Sequence, residues 1–218
     1  MKKLTLVLLA CVSIALTGCA NNRPKKPEIV TFDNTGIQSI LIVPVLNETH
    51  EALAGGLMSS TLSLPLAEKG YYTFPVRTVK TVLEQEGYYE AAQVHQLGPE
   101  KLAKMFGADS VLLTKVTFWD AQYAVIKTVT AVTVDFKLYR KDGTLLFEDT
   151  CSAAYSPQSA TSQGGNPLIG LVADMVAAAV QRALPDYLPL ANIVNVKMLK
   201  NFKDGPYLIK KKEQLNRK

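Results

Sequence analysis

The residues best suited to chemistry stand at positions 47–51, which read Asn-Glu-Thr-His-Glu and directly follow an apolar run. An imidazole beside carboxylates can bind a metal ion or move a proton, and α/β sheets hold ligands at the carboxyl ends of their strands. His50 lacks the second histidine, four positions on, of the zinc-protease pattern, and His95 lies 45 positions away in a predicted loop. We therefore expect no metal here, and we expect Asn47 or Thr49 to cap the next helix.

A ligand crevice is the alternative interpretation of this polar segment. Its candidate residues are Asn47, Glu48 and His50, joined by Asp120 from a later strand. Asp120 follows Trp119 in an aromatic cluster of the kind that more often packs or contacts a partner than lines a pocket. The serines have no Gly-x-Ser-x-Gly setting, and the glycine pairs lack the strand-to-helix pattern of a nucleotide loop. Because no catalytic set and no cofactor motif remain, we expect neither an enzyme nor a bound cofactor.

The N-terminus has the layout of a secretory signal. Two lysines precede an apolar run over residues 4–16, and Thr-Gly-Cys follows at 17–19. The run is too short to span a membrane, which needs about 20 apolar residues. Residues 16–19 match the lipobox, in which a diacylglycerol alkylates the cysteine thiol and cleavage then makes that cysteine the first residue. The sequence thus predicts a lipid anchor on Cys19; the alternative is a secreted protein with a coincidental cysteine.

The residue after the anchor predicts which membrane holds it. Ala20 follows Cys19, whereas an Asp at that position commonly retains lipoproteins in the inner membrane. We therefore expect the periplasmic face of the outer membrane, with the inner membrane as the alternative.

The net charge of the mature chain is mild. The chain has 24 basic and 19 acidic residues, and loss of Lys2 and Lys3 with the signal leaves 22 and 19, a net of +3. Such a balance does not favour nucleic acid as a partner. The basic residues gather near the two ends, at 23–26 and 210–218. This distribution indicates solvated tails or, alternatively, contact with anionic lipid head groups.

Four segments follow from these patterns. They are a signal peptide at 1–18, a lipidated tether at 19–36, a periplasmic α/β domain at 37–200 and a basic C-terminal tail at 201–218. The tether is rich in Pro, Asn and Lys and has little apolar periodicity, so it should let the domain stand off the membrane. The apolar content of 48% suffices for one buried domain.

The first half of the domain alternates strands with helices. Residues 40–43 form a continuous run of Ile, Leu and Val, as in a central strand covered by helices on both faces. Helices are predicted at 51–69, 77–86 and 99–106, and a short aromatic strand at 71–76. This order predicts β-α-β units and therefore parallel strand pairs.

The second half alternates apolar and polar residues with a period of two. Strands are predicted at 109–123, 126–140 and 144–155, and the Asp-Gly pair at 142–143 supplies the turn of an antiparallel hairpin. The fold class is therefore α/β: a single three-layer domain with a mixed β-sheet flanked by helices. It should begin with β-α-β-α and end with antiparallel strands.

One thiol remains free in the mature chain once Cys19 carries lipid. This thiol is Cys151, which excludes an internal disulfide. Strict alternation would place Cys151 on the same face as Leu145 and Phe147, so we expect it in the core.

The C-terminal third is predicted to contribute one helix and one strand. A mobile Ser, Gln and Gly loop at 156–165 precedes an amphipathic helix that begins at Leu168 and should cover the sheet. Beyond residue 184, prolines at 185, 189 and 206 are expected to break further helix, and residues 193–198 to add an edge strand.

Several short motifs resemble a single family. They are Pro-Leu-Ala-Glu-Lys-Gly-Tyr-Tyr at 65–72, Phe-Gly-Ala-Asp at 106–109, Asp-Gly-Thr-Leu-Leu at 142–146 and Gly-Pro-Tyr at 205–207, besides the strand at 40–45. Through them, nearly all of residues 37–209 resembles the bacterial lipoproteins grouped as domain of unknown function 799. The resemblance implies an α/β domain similar to those of the curli-secretion lipoprotein and of the amino-terminal part of the Tol-system propeller protein. It also implies accessory work in envelope assembly or transport, and it brings no catalytic residues.

Two hypotheses of different classes result. The first is a non-enzymatic, lipid-anchored periplasmic module that binds other envelope lipoproteins or transport proteins, or a second copy of itself, in a secretion, transport or surface-assembly complex. The second is a periplasmic ligand-binding or hydrolytic protein that uses the crevice around Asn47, Glu48, His50 and Asp120.

Overall fold

The computed structural model describes residues 34–124, 127–155 and 187–217, and the side chains of 121–129 are not described. The predicted signal peptide, the predicted lipidation site, the loop predicted at 156–165 and the helix predicted from Leu168 lie outside the described residues. The elements in chain order are β1 Ser39–Ile42, β2 Leu46–Asn47, α1 Ala54–Glu68, β3 Tyr72–Thr73, α2 Val76–Gln85, α3 Ala91–Gln96, α4 Pro99–Phe106, β4 Ser110–Ala124, β5 Lys127–Arg140, β6 Leu145–Tyr155, α5 Leu188–Leu199 and α6 Pro206–Asn216.

Within the described residues, six strands form one mixed sheet in the order β3-β1-β4-β5-β6, with β2 beside β4. The strand β1 runs parallel to both β3 and β4, whereas β5 runs antiparallel to its two neighbours, β4 and β6. The predicted β-α-β start and antiparallel finish are therefore confirmed. The strand predicted to be central, β1, lies between β3 and β4, and its residues Ile40, Leu41 and Ile42 are each 0% exposed.

Helices cover the sheet on both faces, in two separate apolar clusters. On one face, α1 and α5 pack against residues of β4, β5 and β6 that include Val134, Phe136 and Leu138. On the other face, α2, α3 and α4 pack against Leu41 and Val111. The structure thus has the three layers that the sequence predicts, and the two sides of β1 each belong to a different cluster.

The helix α4 has the bounds that the sequence predicts. Pro99 stands in its first turn, where a backbone N–H is not needed, and Gly107 ends it in the left-handed conformation with a φ of 66°.

The C-terminal elements correct two predictions. Residues 193–198 belong to the helix α5 and do not form an edge strand. Pro189 and Pro206 stand in the first turns of α5 and α6, so they open these helices and do not prevent them. The predicted strand is wrong because burial of Ala191, Val194 and Met198 against α1 recurs at helical spacing, which short β-branched runs obscure.

The start of β6 corrects a third prediction. A register shift pairs Leu138 with Phe147 but Tyr139 with Leu145, so strict alternation fails at the turn. Leu145 is consequently 44% exposed, and the side chain that packs against the core beside Phe147 is that of Leu146.

A proline inside α1 is compensated by a side chain from α5. Pro65 has no N–H to donate to the carbonyl of Thr61 four residues earlier. Nδ2 of Asn195, a fully buried residue, donates to that carbonyl and to the Thr61 hydroxyl, both at 3.0 Å. The free backbone acceptor is therefore satisfied between helices, which fixes α5 against α1.

Asn195→Ala should lower the free energy of unfolding by about 2–3 kcal/mol, since it leaves the Thr61 carbonyl buried without a donor. In a Pro65→Ala background the same change should cost about 1 kcal/mol less, because an alanine at this position restores a helical N–H for the Thr61 carbonyl. Denaturant unfolding of the four proteins measures this difference. Equal costs in both backgrounds would show that Asn195 does not replace the missing helical bond.

Candidate functional site

Residues 47–51 form a loop whose polar groups bond to one another. Oδ1 of Asn47 accepts from the N–H and hydroxyl of Thr49, at 3.0 and 2.7 Å, and its Nδ2 donates to the carbonyl of Glu51 at 2.8 Å. The helix α1 begins only at Ala54, after Leu53, with no side-chain cap. The prediction that Asn47 or Thr49 caps this helix is wrong, because both are used to close the loop before it.

Glu48 lies in a chain of ion pairs across three strands. Nζ of Lys115 on β4 lies 3.3 Å from the Glu48 carboxylate and 3.7 Å from that of Asp135 on β5. These side chains are 27–50% exposed, so each pair adds roughly 0–1 kcal/mol. The carboxylates of Glu48 and Asp135 are thus both paired with the ammonium group of Lys115.

The histidine brought to this edge of the sheet is His95. It lies on α3, a short helix where the sequence predicts a loop, and its Nε2–H donates to the carbonyl of Pro44 at 3.0 Å. Burial lowers its pKa, and the charge of Lys115 adds to this effect, so the imidazole is neutral at physiological pH. His50 is exposed on the loop.

The four candidate crevice residues are not gathered at one point. Asn47 and Glu48 are neighbours at the end of β2, where Asn47 pairs with Val116 of β4. Asp120 lies four residues further along β4, which is about 13 Å at the rise of a strand. Within the described parts of the chain, no group of three or more His, Cys, Asp or Glu residues is placed to hold a metal ion.

A second polar cluster lies where the described chain begins. Nδ2 of Asn34 donates to the Tyr71 hydroxyl and to the carbonyl of Asp204, both at 3.0 Å. The Tyr71 hydroxyl in turn donates to the carbonyl of Lys203 at 2.9 Å. Burial raises the pKa of Tyr71 to about 12, so the hydroxyl stays protonated and able to donate. We call these residues, with Lys69 and Lys212, the tether junction.

Two lysines hold the carboxylate of the tether junction. Lys212 of α6 lies 2.5 Å from one oxygen of Asp204, and Lys69, just after α1, lies 3.3 Å from the other. The hydrogen bond from Lys212 is the main cause that lowers the pKa of Asp204, and Lys69 acts in the same direction. Asp204 therefore joins the end of α1 to α6.

Two glycines allow α6 to pack closely at this junction. The N–H of Gly205 donates to the carbonyl of Lys69 at 2.7 Å, and that of Tyr207 donates to Gly70 at 3.2 Å. A Cβ on Gly205 would overlap the Gly70 carbonyl, and one on Gly70 would lie 2.5 Å from Cβ of Leu208. Residues 206–216 of the predicted basic tail thus form a helix whose start packs against the domain; the signal that sequence reasoning missed is Pro206 directly after Gly205, since proline is common at the first helical position.

Cys151 lies in the core at the edge of the sheet, as the alternation predicts. It is 6% exposed, and its thiol donates to a carboxylate oxygen of Asp149 at 3.4 Å. Burial, with the negative charge of Asp149 in second place, raises the pKa of Cys151 to about 12. The thiol is therefore protonated and a poor nucleophile.

None of the helices in the described ranges is both long and apolar enough to cross a membrane.

A lipoprotein-family model described as "Putative lipoprotein GNA1162-like" matches residues 29–210. The chain therefore belongs to this lipoprotein family, which places it at a membrane of the cell envelope. It is 32% identical, over 188 residues, to "Putative lipoprotein NMB1124/NMB1162" of Neisseria meningitidis serogroup B, with 85% of this chain and 84% of that protein covered.

Solved structures are also similar. The crystal structure of lipoprotein GNA1162 from Neisseria meningitidis is 31% identical, covers 66% of this chain and 97% of its own, and superposes with a TM-score of 0.54. A PelC dodecamer from Paraburkholderia phytofirmans is 16% identical over 77% of this chain and 89% of its own, with a TM-score of 0.44. The first of these agrees with the mixed α/β fold described above.

Proposed function

We propose that this chain is a non-enzymatic, lipid-anchored component that binds other envelope proteins in a secretion, transport or surface-assembly complex. Its anchor is the lipid on Cys19, at the periplasmic face of the outer membrane. The non-enzymatic part of the proposal is supported by the polar segment at 47–51, most of whose side chains already bond to neighbouring groups of the protein. Asn47, Thr49 and Glu51 close a loop, and Glu48 pairs with Lys115.

The surface that we assign to protein contact is the outer edge of β6. This strand has 11 residues and ends the sheet, and within the described residues no strand pairs with its other side. A long edge strand offers unpaired backbone groups that readily accept a strand from another chain. Leu145, 44% exposed at its start, adds an apolar contact. Either a second copy or another envelope protein fits this edge.

A crosslinked pull-down from membranes tests the assembly role. The intact lipoprotein is compared with a Cys19→Ala form in which an ordinary cleavable secretory signal replaces residues 1–18, and the captured proteins are identified by mass spectrometry and native sizing. We expect a defined set of envelope proteins, or a discrete oligomer, that is lost or weakened without the lipid. Recovery of a monomer with no partner from intact membranes would contradict the proposal.

Leu145→Lys should reduce the recovery of these partners several-fold, because a charge at the start of β6 opposes strand addition at that edge. Leu64→Lys is the matched control, since Leu64 is 67% exposed on α1, away from the edge. Both proteins should keep the thermal midpoint of the parent. If both substitutions or neither reduced recovery, β6 would not be the contact surface.

Replacement of Glu48 and His50 by Ala separates this proposal from the ligand-binding or hydrolytic alternative. We expect both folding and partner recovery to be retained, since Glu48 makes only an exposed ion pair and His50 is exposed. Loss of the cellular phenotype with intact folding and intact partner recovery would favour the alternative.

A further inference from the structure

The helix α6 presents a basic surface. Lys210, Lys211 and Lys212 are consecutive and exposed, and Arg217 follows at the end of the helix, against a single acid, Glu213. Lys212 is engaged by Asp204, whereas no ion pair is found for Lys210, Lys211 or Arg217 within the described residues. Three cationic side chains are thus available to an anionic partner.

The tether enters the domain directly beside this helix. Asn34, the first described residue, bonds to the carbonyl of Asp204, and Gly205 follows as the N-cap of α6. The Tyr71 hydroxyl holds the carbonyl of Lys203 at the same place. These hydrogen bonds join the end of the tether at Asn34 to the start of α6. A lipid anchor on Cys19 therefore keeps this side of the domain nearest to the membrane.

The length of the tether keeps α6 close to the bilayer. Cys19 precedes Asn34 by 15 residues. A chain of that length spans at most about 50 Å. The anchor therefore holds a basic helix at a high effective concentration over the lipid head groups.

We propose that α6 binds the anionic phospholipid head groups of the membrane that carries the anchor, through Lys210, Lys211 and Arg217. The inference rests on the proposed lipidation of Cys19 for its orientation, and it is independent of any protein partner. Tyr207 and Ile209, 53% and 44% exposed on the same helix, supply apolar contact at the interface. Such binding would fix the orientation of the domain, so that β6 points to a defined side.

Vesicle binding by the mature chain with Cys19→Ala tests the proposal, because this protein has no lipid to hold it. Vesicles of phosphatidylcholine alone are compared with vesicles that also contain phosphatidylglycerol, and bound protein is measured by sedimentation. We expect binding to the anionic vesicles only, and its loss at about 1 M salt, where the screening length falls to about 3 Å. Each basic residue should contribute about fivefold, so the triple variant Lys210→Gln, Lys211→Gln, Arg217→Gln should bind roughly a hundredfold more weakly.

The matched control removes three charges elsewhere. Lys80, Lys104 and Lys141 are exposed on α2, on α4 and in the β5–β6 turn, and their replacement by Gln should leave vesicle binding within about twofold of the parent. Equal loss in both triple variants would show a response to net charge alone and overturn the assignment to α6. Binding to neutral vesicles would also overturn the proposal. Capture of acidic proteins without any binding to vesicles would overturn it as well.

The outcomes for α6 and for Cys19 can be told apart. If Cys19 carried no lipid, fatty-acid labelling of the cellular protein would fail while vesicle binding by the purified chain was unchanged. If α6 did not bind lipid, labelling would succeed and vesicle binding would fail.

Discussion

Cys19→Ala should abolish the incorporation of labelled fatty acid into this protein and leave residues 1–18 uncut. The reason is chemical: the lipobox reaction alkylates a thiol, alanine has none, and cleavage follows alkylation. When residues 1–18 are also replaced by an ordinary cleavable secretory signal, the Cys19→Ala chain should move from the detergent phase to the aqueous phase. The change should be nearly complete, because two or more acyl chains supply essentially all of a stable anchor. Metabolic labelling and detergent partition measure both effects.

Cys151→Ala is the matched control for this experiment, since it removes the other cysteine of the mature chain. It should incorporate fatty acid as the parent does, because Cys151 is buried in the folded domain. Retention of the label by Cys19→Ala, or its loss from Cys151→Ala, would contradict lipidation at position 19.

The parts of the fold that were predictable are those written into local sequence. In β5, apolar residues such as Val132, Val134 and Phe136 alternate with polar ones, and the Asp-Gly turn after it indicates an antiparallel hairpin with β6. The buried run of β1 and the glycine that ends α4 are equally local signals. They predict parallel strands at the start of the domain, because parallel strands need long connections that are usually helical.

The parts that were not predictable depend on contacts between distant segments. Residues 193–198 are rich in β-branched side chains, and only packing against α1 and the bond from Asn195 to Thr61 make them helical. The docking of α6 depends likewise on the close approach of Gly205 to Gly70, which are 135 positions apart. The helical spacing of the buried residues of α5 is obscured by its β-branched side chains, and the contact of Gly205 with Gly70 leaves no periodic pattern in the sequence.

Sequence proximity places His50 in the candidate crevice, and it gives no sign that His95 also lies at this edge of the sheet. His50 is adjacent to Glu48 in sequence but exposed, whereas His95 reaches the carbonyl of Pro44 because α3 packs there. The partner of Glu48 is Lys115, which the pairing of β2 with β4 brings into place. Charge pairing across strands requires the register, and no local signal in the sequence specifies the register of β2.

In the folded mature chain with Cys19→Ala, Cys151 should react with a thiol reagent about a thousandfold more slowly at pH 8 than in the unfolded chain. Burial raises its pKa from 9.0 to about 12, and the reactive thiolate at pH 8 falls from roughly one molecule in ten to one in ten thousand. Because the folded pKa is the higher one, the neutral thiol contributes stability that is fully present below pH 9 and is lost as the pH rises toward 12. Labelling rates with and without denaturant measure the ratio.

Asp149→Asn identifies what protects the thiol. The carboxylate is the second cause of the raised pKa and burial is the first, so this variant should label faster than the parent yet remain far slower than the unfolded chain. Recovery of the full unfolded rate by Asp149→Asn, with an unchanged thermal midpoint, would assign the protection to the charge. A native rate within about tenfold of the unfolded rate in the parent would mean that the edge of the sheet at β6 opens readily and exposes Cys151.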